Sequence, residues 1–244
     1  MSNAQEQERK RFLTQYSEIA TLAGGLAHEI KNPLSIISMN LELLNEELEQ
    51  GDSSQDRRML MKIETVQREC HHLENILDAF LQFARVGELE LVEWDLNQIV
   101  RDFIEFYQPK ARERRIEISP HLGSDLPPVR LDPALVRQVF MNLTLNAEQA
   151  MLDGGLLELQ TYFREGRVYL EFIDNGTGMD EQTNSKKFQV FFSTKTGGSG
   201  LGLVTVKKIV EAHHGTISCD SESGRGTKFT ISLPAADAVV EDTC

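Results

Sequence analysis

Two apolar seams near the N-terminus constrain this chain more than any other feature. Leu26, Ile30, Leu34, Ile37, Leu41, Leu44 and Leu48 are separated by four, four, three, four, three and four residues. Ile63, Val66, Cys70, Leu73, Leu77, Phe80 and Ala84 step by alternating threes and fours. A period near 3.5 is that of helices packed in a coiled coil or bundle. The polar run Glu49-Gln50-Gly51-Asp52-Ser53-Ser54 between them reads as a tight connection. Two helices alone make a weak core. The pattern therefore predicts a hairpin that doubles into a dimeric four-helix bundle and so buries both stripes.

Past Gly87 the periodicity changes. Asp95 is placed to cap a helix running to about residue 114, and Asp132-Pro133 opens another that runs to about 151, with a capping residue before proline at the first helical position. Strand-like segments fall at 116–119, 129–131, 156–163, 168–173, 216–219 and 227–233, and Arg164-Glu165-Gly166-Arg167 reads as a hairpin turn. A glycine-rich loop precedes a helix at about 200–213. The expected fold is thus α + α/β: a helical hairpin over residues 1–87, then a two-layer α/β sandwich over 88–236, with a loose acidic tail at 237–244.

Charge and cysteine content exclude some functions. The chain has 244 residues and a formal charge of −13, the opposite of the basic footprint of a duplex nucleic-acid binder. Cys70, Cys219 and Cys244 are scattered with no CxxC pair, which suggests reduced thiols. No run approaches a membrane span. These features predict a cytoplasmic chain with no membrane segment of its own. The opening Met1-Ser2-Asn3-Ala4 leaves room for a sensor or membrane region upstream.

Four clusters carry chemistry. His28 lies about 200° round the helix from both Leu26 and Ile30, so it points away from the seam. An exposed histidine alone is ordinary surface. Here Glu29 follows directly, able to accept its proton, and Pro33 interrupts the helix one turn later, a local cost that a purely structural hairpin has no use for. A neutral imidazole is a competent nucleophile near pH 7. In the helix of 132–151, Asn142 and Asn146 share one face, with Glu148 and Gln149 nearby. They suit Mg²⁺ on nucleotide phosphates, or are merely two polar residues on an exposed face. Asp174-Asn175-Gly176-Thr177-Gly178-Met179 follows a strand. It fits an ordinary turn, or a strand-end carboxylate that accepts from an exocyclic amine such as that of adenine, with glycines allowing close backbone approach. Finally, Ser193-Thr194-Lys195-Thr196-Gly197-Gly198-Ser199-Gly200-Leu201-Gly202-Leu203 opens a helix. Its free N–H groups, the helix dipole and Lys195 suit phosphates.

In this order and spacing the clusters resemble the sensor histidine kinase family of two-component systems. His28-Glu29-Ile30-Lys31-Asn32-Pro33-Leu34 looks like its phosphoacceptor motif, and Asn142 through Ala147 like its Asn-rich nucleotide box. Asp174 through Met179 resembles the first glycine box, Phe188 through Lys195 the phenylalanine box, and Gly198 through Gly202 the second glycine box. Gly224-Arg225-Gly226-Thr227 resembles the closing turn. The match covers roughly residues 15–234, and the short Ser-Thr-Lys segment looks closest to nitrogen-regulation kinases.

The resemblance implies a Bergerat-type ATP-binding domain and a homodimeric protein histidine kinase, a transferase and phosphoprotein in signal transduction. It would use ATP and Mg²⁺ to phosphorylate His28, then pass the group to an aspartate of a response regulator receiver domain, with phosphatase activity as a further option. It implies Glu29 as general base and Asn32 as the residue that positions water for dephosphorylation. It also implies Asn146 on Mg²⁺, Asn142 at the phosphates, Asp174 on adenine, and Thr194, Lys195 and the Gly198, Gly200, Leu201 and Gly202 backbone around the phosphates. Gly176, Gly178 and Thr227 complete the nucleotide set.

Three departures from the family pattern stand out. Val190 replaces the usual proline, Asn184 and Lys187 replace apolar anchors, and His213-His214-Gly215-Thr216 lacks a second glycine. They keep open an alternative, a nucleotide-binding scaffold or phosphatase-biased protein that docks a receiver domain. A chaperone- or mismatch-repair-type ATPase of the same architecture is a third reading, but it has no use for an exposed His-Glu pair beside a proline.

Overall fold

The computed structural model describes residues 30–31, 34–45, 54–85, 89–195 and 198–236. The His28, Glu29, Asn32 and Pro33 positions, most of the 49–54 connection and the 237–244 tail lie outside the described residues. The chain divides into two compact units, one helical and one built on a sheet.

In the helical unit, residues 34–45 form α1 and Ser54–Arg85 form α2. The seams divide by burial. Leu34, Ile63 and Cys70 are buried, whereas Ile37, Leu44, Val66 and Leu73 remain 44–50% exposed. Within one protomer, part of each stripe is left in water, which is the situation a second hairpin relieves. Lys31 forms an ion pair with Asp78 of α2. Met59 and Met61 of α2 are more than half exposed.

The second unit begins with β1 (Val92–Trp94), a three-residue strand too short to give a periodic signal, paired antiparallel with β3 (Val129–Leu131). Trp94 stands opposite Val129 in that pair. α3 (Leu96–Glu113) starts where Asp95 accepts the Asn97 N–H at 2.8 Å. β2 (Ile116–Leu122) runs three residues past its predicted end. Pro120 is tolerated because β2 is an edge strand. α4 (Pro133–Ala150) has the expected cap, with Asp132 Oδ1 accepting from the N–H groups of Ala134 and Leu135. β4 (Gly155–Arg164) and β5 (Arg167–Asp174) form the predicted hairpin. α5 (Glu181–Lys186), α6 (Gly202–Ala212), β6 (Thr216–Glu222) and β7 (Gly226–Pro234) complete the unit.

The main sheet has the order β2-β4-β5-β7-β6, with only β2–β4 parallel. Along β5 the side chains of Val168, Leu170, Phe172 and Asp174 share the buried face. Helices α3, α4 and α6 pack on the sheet, giving the expected two layers. Phe140 of α4 joins them, its ring 5.1 Å from Phe103 of α3 and 5.0 Å from Phe172 of β5. Full burial of Phe140 removes a large apolar surface from water, worth roughly 1.5–3 kcal/mol.

Candidate nucleotide site at the end of the sheet

The site is organised by one cross-strand row. Leu157 of β4, Asp174 of β5, Thr227 of β7 and Ser221 of β6 stand side by side on the helix-covered face. Asp174 ends its strand and is buried, and its Oδ1 accepts the Gly176 N–H at 3.0 Å. A cleft of about 440 Å³ opens beside it, lined by Asp174, Asn184, Cys219, Ser221, Arg225 and Thr227 among others. Burial pushes the Cys219 thiol up to about 12, so at neutral pH it is a protonated, weakly polar wall.

The glycines after Asp174 fit the protein's own backbone. A β-carbon at Gly176 would meet Ala150 Cβ at 2.7 Å, and one at Gly178, with φ +63°, would meet the Glu222 carbonyl oxygen at 2.1 Å. Thr177 N–H donates to Ala150 O at 3.0 Å, and Gly224 N–H donates to Thr177 O at 2.7 Å. The loop is therefore wedged between the end of α4 and the β6–β7 turn, and this fixes where Asp174 sits.

α4 connects this end of the site to the next. Gly202 opens α6 next to Asn142, whose Oδ1 would lie 3.5 Å from a β-carbon placed there. Asn142, Asn146 and Ala150 are four residues apart and share one face. A stripe about 12 Å long thus runs from the start of α6 to the loop after β5, with Asn146 at its middle. Neither asparagine lines the cleft beside Asp174. Glu148, which the sequence places near this pair, turns the other way: it bonds Tyr107 Oη and pairs with Lys110 Nζ at 3.3 Å and Arg114 Nε at 3.0 Å. Burial works to raise its carboxyl, but the hydrogen bonds from Tyr107 and Lys110 and the two cations hold it below its ordinary value. Its role is to fasten α4 to α3.

Leu201 is fully buried at the head of α6, and no side chain caps that helix. A helix start of this kind presents N–H groups and a positive dipole end. Thr194, Lys195 and Gly198 are exposed, and Gly198 N–H donates to Lys195 O at 3.2 Å in a local turn. Thr196 and Gly197 lie outside the described residues. The α5 segment buries none of its residues; Lys187 Nζ donates to Asn184 O and Oδ1, both at 2.8 Å, so the two unexpected residues satisfy each other where apolar anchors were expected.

Two residues were missed by sequence reasoning. Ser221 gave no local signal; its hydroxyl touches Met179 N, Gly226 O and Thr227 Oγ1. His213, noted from the sequence only within a segment that lacks a second glycine, is a buried bolt between α6 and the start of α4: Nδ1 donates to Ile209 O at 2.7 Å and Nε2 accepts from Asp132 N–H at 2.9 Å.

Comparison with known proteins agrees with this architecture. Residues 18–89 match the family described as His Kinase A (phospho-acceptor) domain, and residues 131–237 match the Histidine kinase-, DNA gyrase B-, and HSP90-like ATPase family. Sporulation kinase E of Bacillus subtilis is 32% identical over 229 residues, 93% of this chain and 30% of that protein. Sensor histidine kinase ZraS of Escherichia coli is 31% identical over 229 residues, 94% of this chain and 48% of that protein. The chain spans between 30% and 50% of the length of the curated relatives it matches. Among solved structures, full-length ShkA in complex with AMPPNP superposes with a TM-score of 0.67 at 27% identity, over 88% of this chain and 45% of that one.

Proposed function

We propose that this chain, which is built from the phospho-acceptor and ATPase domains of a histidine kinase, uses ATP to phosphorylate His28 and then hands the phosphoryl group to an aspartate of a response regulator. The observation that carries this reading is the buried Asp174 carboxylate at the mouth of a nucleotide-sized cleft, in a chain that also holds a phosphoacceptor segment. Asp174 accepts from the adenine amine, and Thr227 completes that wall. From there the triphosphate follows the α4 stripe toward α6. Asn146 holds Mg²⁺ on the phosphates and Asn142 contacts them, while Thr194, Lys195 and the backbone from Gly198 to Gly202 surround the terminal groups. Phosphoryl transfer needs mainly such positioning and charge stabilisation.

The same reading gives Glu29 the role of base toward His28, and Asn32 that of holding a water when the partner is dephosphorylated. The kinase is a homodimer through its helical hairpin, acts in the cytoplasm, and belongs with the nitrogen-regulation-like subgroup. No described helix is long and apolar enough to cross a membrane. The exposed side chains of Ser35, Met39 and Glu42, with half-buried Asn45, continue the His28 stripe and form the face that receives the regulator. Incubation with γ-labelled ATP and Mg²⁺ tests the proposal. Acid-labile, base-stable label is expected on the chain and absent from His28→Gln. Wild-type chain that binds ATP yet takes no label refutes the kinase reading and leaves the scaffold, which the absence of buried residues in α5 favours.

A further inference from the structure

We infer that His213 is a positioning residue for the phosphate end of the nucleotide site, setting the register of α6 against α4 and so the gap between Asn142 and Gly202. The inference rests on the nucleotide reading above. Helices α4 and α6 lie side by side and antiparallel. Asp132, the cap of α4, meets His213 just past the end of α6, and Asn142 of α4 meets Gly202 at the start of α6. Ten residues separate Asp132 from Asn142 and eleven separate Gly202 from His213, so the two contacts bracket a span of about 15 Å. His213 is 2% exposed and does not line the cleft, and its influence on a ligand therefore runs through α6.

Between these ends the packing is apolar. Val136 and Val139 of α4 and Ile209 and Val210 of α6 line one small void beside His213. Apolar attraction is non-directional, so it holds two helices together without fixing how far one slides along the other. A hydrogen bond is directional, and here both of its partners are tied down. The Asp132 carboxylate accepts from Ala134 and Leu135 N–H through Oδ1 and from Glu90 N–H, at 3.2 Å, through Oδ2. The His213 ring is held by donation from Nδ1 to Ile209 O, which leaves Nε2 as the acceptor for Asp132 N–H. At the other end Gly202 keeps room beside Asn142, where a β-carbon would still stand 3.5 Å from Oδ1, and the phosphates pass there. Misplacing a binding group by about 1 Å can cost as much as 100-fold. Asp174 is positioned instead by the loop wedged against Ala150 and the β6–β7 turn, so the base end of the site does not depend on the register of α6.

The experiment compares ADP and adenosine affinities, by calorimetry with Mg²⁺, for the wild-type chain, His213→Leu and His213→Gln. His213→Leu keeps an apolar bulk but leaves Asp132 N–H without its acceptor. Its ADP affinity is expected to fall by about tenfold while adenosine stays within about twofold. His213→Gln retains an acceptor for Asp132 and is expected to restore most of the ADP-over-adenosine ratio. A merely structural loss would weaken both ligands together, and that outcome overturns the assignment, as does an unchanged ratio in His213→Leu. If His213→Leu does not fold, linkage gives the same test on the wild type, because coupling between two sites is reciprocal. ADP must then protect the Asp132 amide from hydrogen exchange more than adenosine does at equal occupancy, and equal protection overturns the inference. A wild type that binds neither ligand overturns the nucleotide reading and this inference with it.

Discussion

Gly200 and Phe191 approach so closely that a β-carbon on Gly200 would meet the Phe191 carbonyl carbon at 2.4 Å, and the Phe191 N–H donates to Gly200 O at 3.2 Å. Both residues have left-handed backbones, φ +67° for Gly200 and +63° for Phe191. A left-handed φ is easy for glycine and costly for a bulky residue, so the strain at Phe191 is held by its fit to Gly200. This pair closes the base of the loop that leads into α6.

Gly200→Ala is therefore expected to open that loop without harming the sheet. The α6 N-terminus would lose its place beside Asn142, and binding of ADP should weaken by at least about tenfold, the equivalent of roughly 1.4 kcal/mol. The thermal midpoint should change little, since no core side chain is altered. Fluorescence titration with a nucleotide analogue, alongside a melting curve, separates the two effects. Unchanged binding in the variant would remove the loop from the site.

Asp174→Asn asks whether the carboxylate reads the base. The side chain keeps its shape, so the Gly176 N–H can still be accepted, but one acceptor oxygen becomes an amide donor facing the purine. Hydrogen bonds to charged groups are worth about 1.5–3 kcal/mol, so ADP affinity should drop by about 10- to 100-fold. Affinity within twofold of wild type would place the adenine elsewhere.

What the sequence disclosed and what it concealed divide by range. The caps at Asp95 and Asp132 and the Arg164–Arg167 turn are local patterns, and each element they announce forms within a few residues of its expected place. Asp174 at a strand end and the α4 asparagines were legible for the same reason. Glu148 was misplaced because its partners Tyr107, Lys110 and Arg114 lie more than 30 residues back in the chain, and only the α3–α4 packing brings them to it. Gly176 and Gly178 were read as making room for a ligand, but the atoms that crowd them come from α4 and β6. Ser221 is one serine in an alternating strand, and its three polar neighbours, Met179, Gly226 and Thr227, are brought to it from the loop after β5 and from β7. The three-residue β1 was too short for any period to show.

The half-covered seams give a prediction about assembly. Leu44 and Leu73 are 47% and 50% exposed in one protomer, and both occupy seam positions. Leu44→Glu combined with Leu73→Glu places charges where a second hairpin would pack. Burying an unpaired carboxylate costs several kcal/mol, enough to convert a dimer to monomers at micromolar concentration. Light scattering on wild type and variant measures this directly. A wild type that is monomeric, or a variant that stays dimeric, would rule out the four-helix arrangement.

His213 makes the sheet unit sensitive to acid. Burial lowers the pKa of its imidazole, with the Ile209 carbonyl hydrogen bond and the Asp132 charge opposing and the His214 charge assisting. The hydrogen bonds demand the neutral ring: Nε2 accepts from Asp132 N–H, and a proton there would set two donors against each other. Because the folded value lies below the unfolded one, about 6.5, the stabilisation is complete above that pH and is lost as pH falls toward the folded value. His213→Gln keeps an acceptor for Asp132 but has no proton to gain. The drop in thermal midpoint between pH 7.5 and pH 5.5 should therefore be smaller in His213→Gln than in wild type, although the variant is less stable at pH 7.5 for want of the imidazole's packing. An equal drop in both would show that the acid response comes from carboxylates such as Glu148, whose depressed pKa likewise makes it lose stabilisation as pH falls.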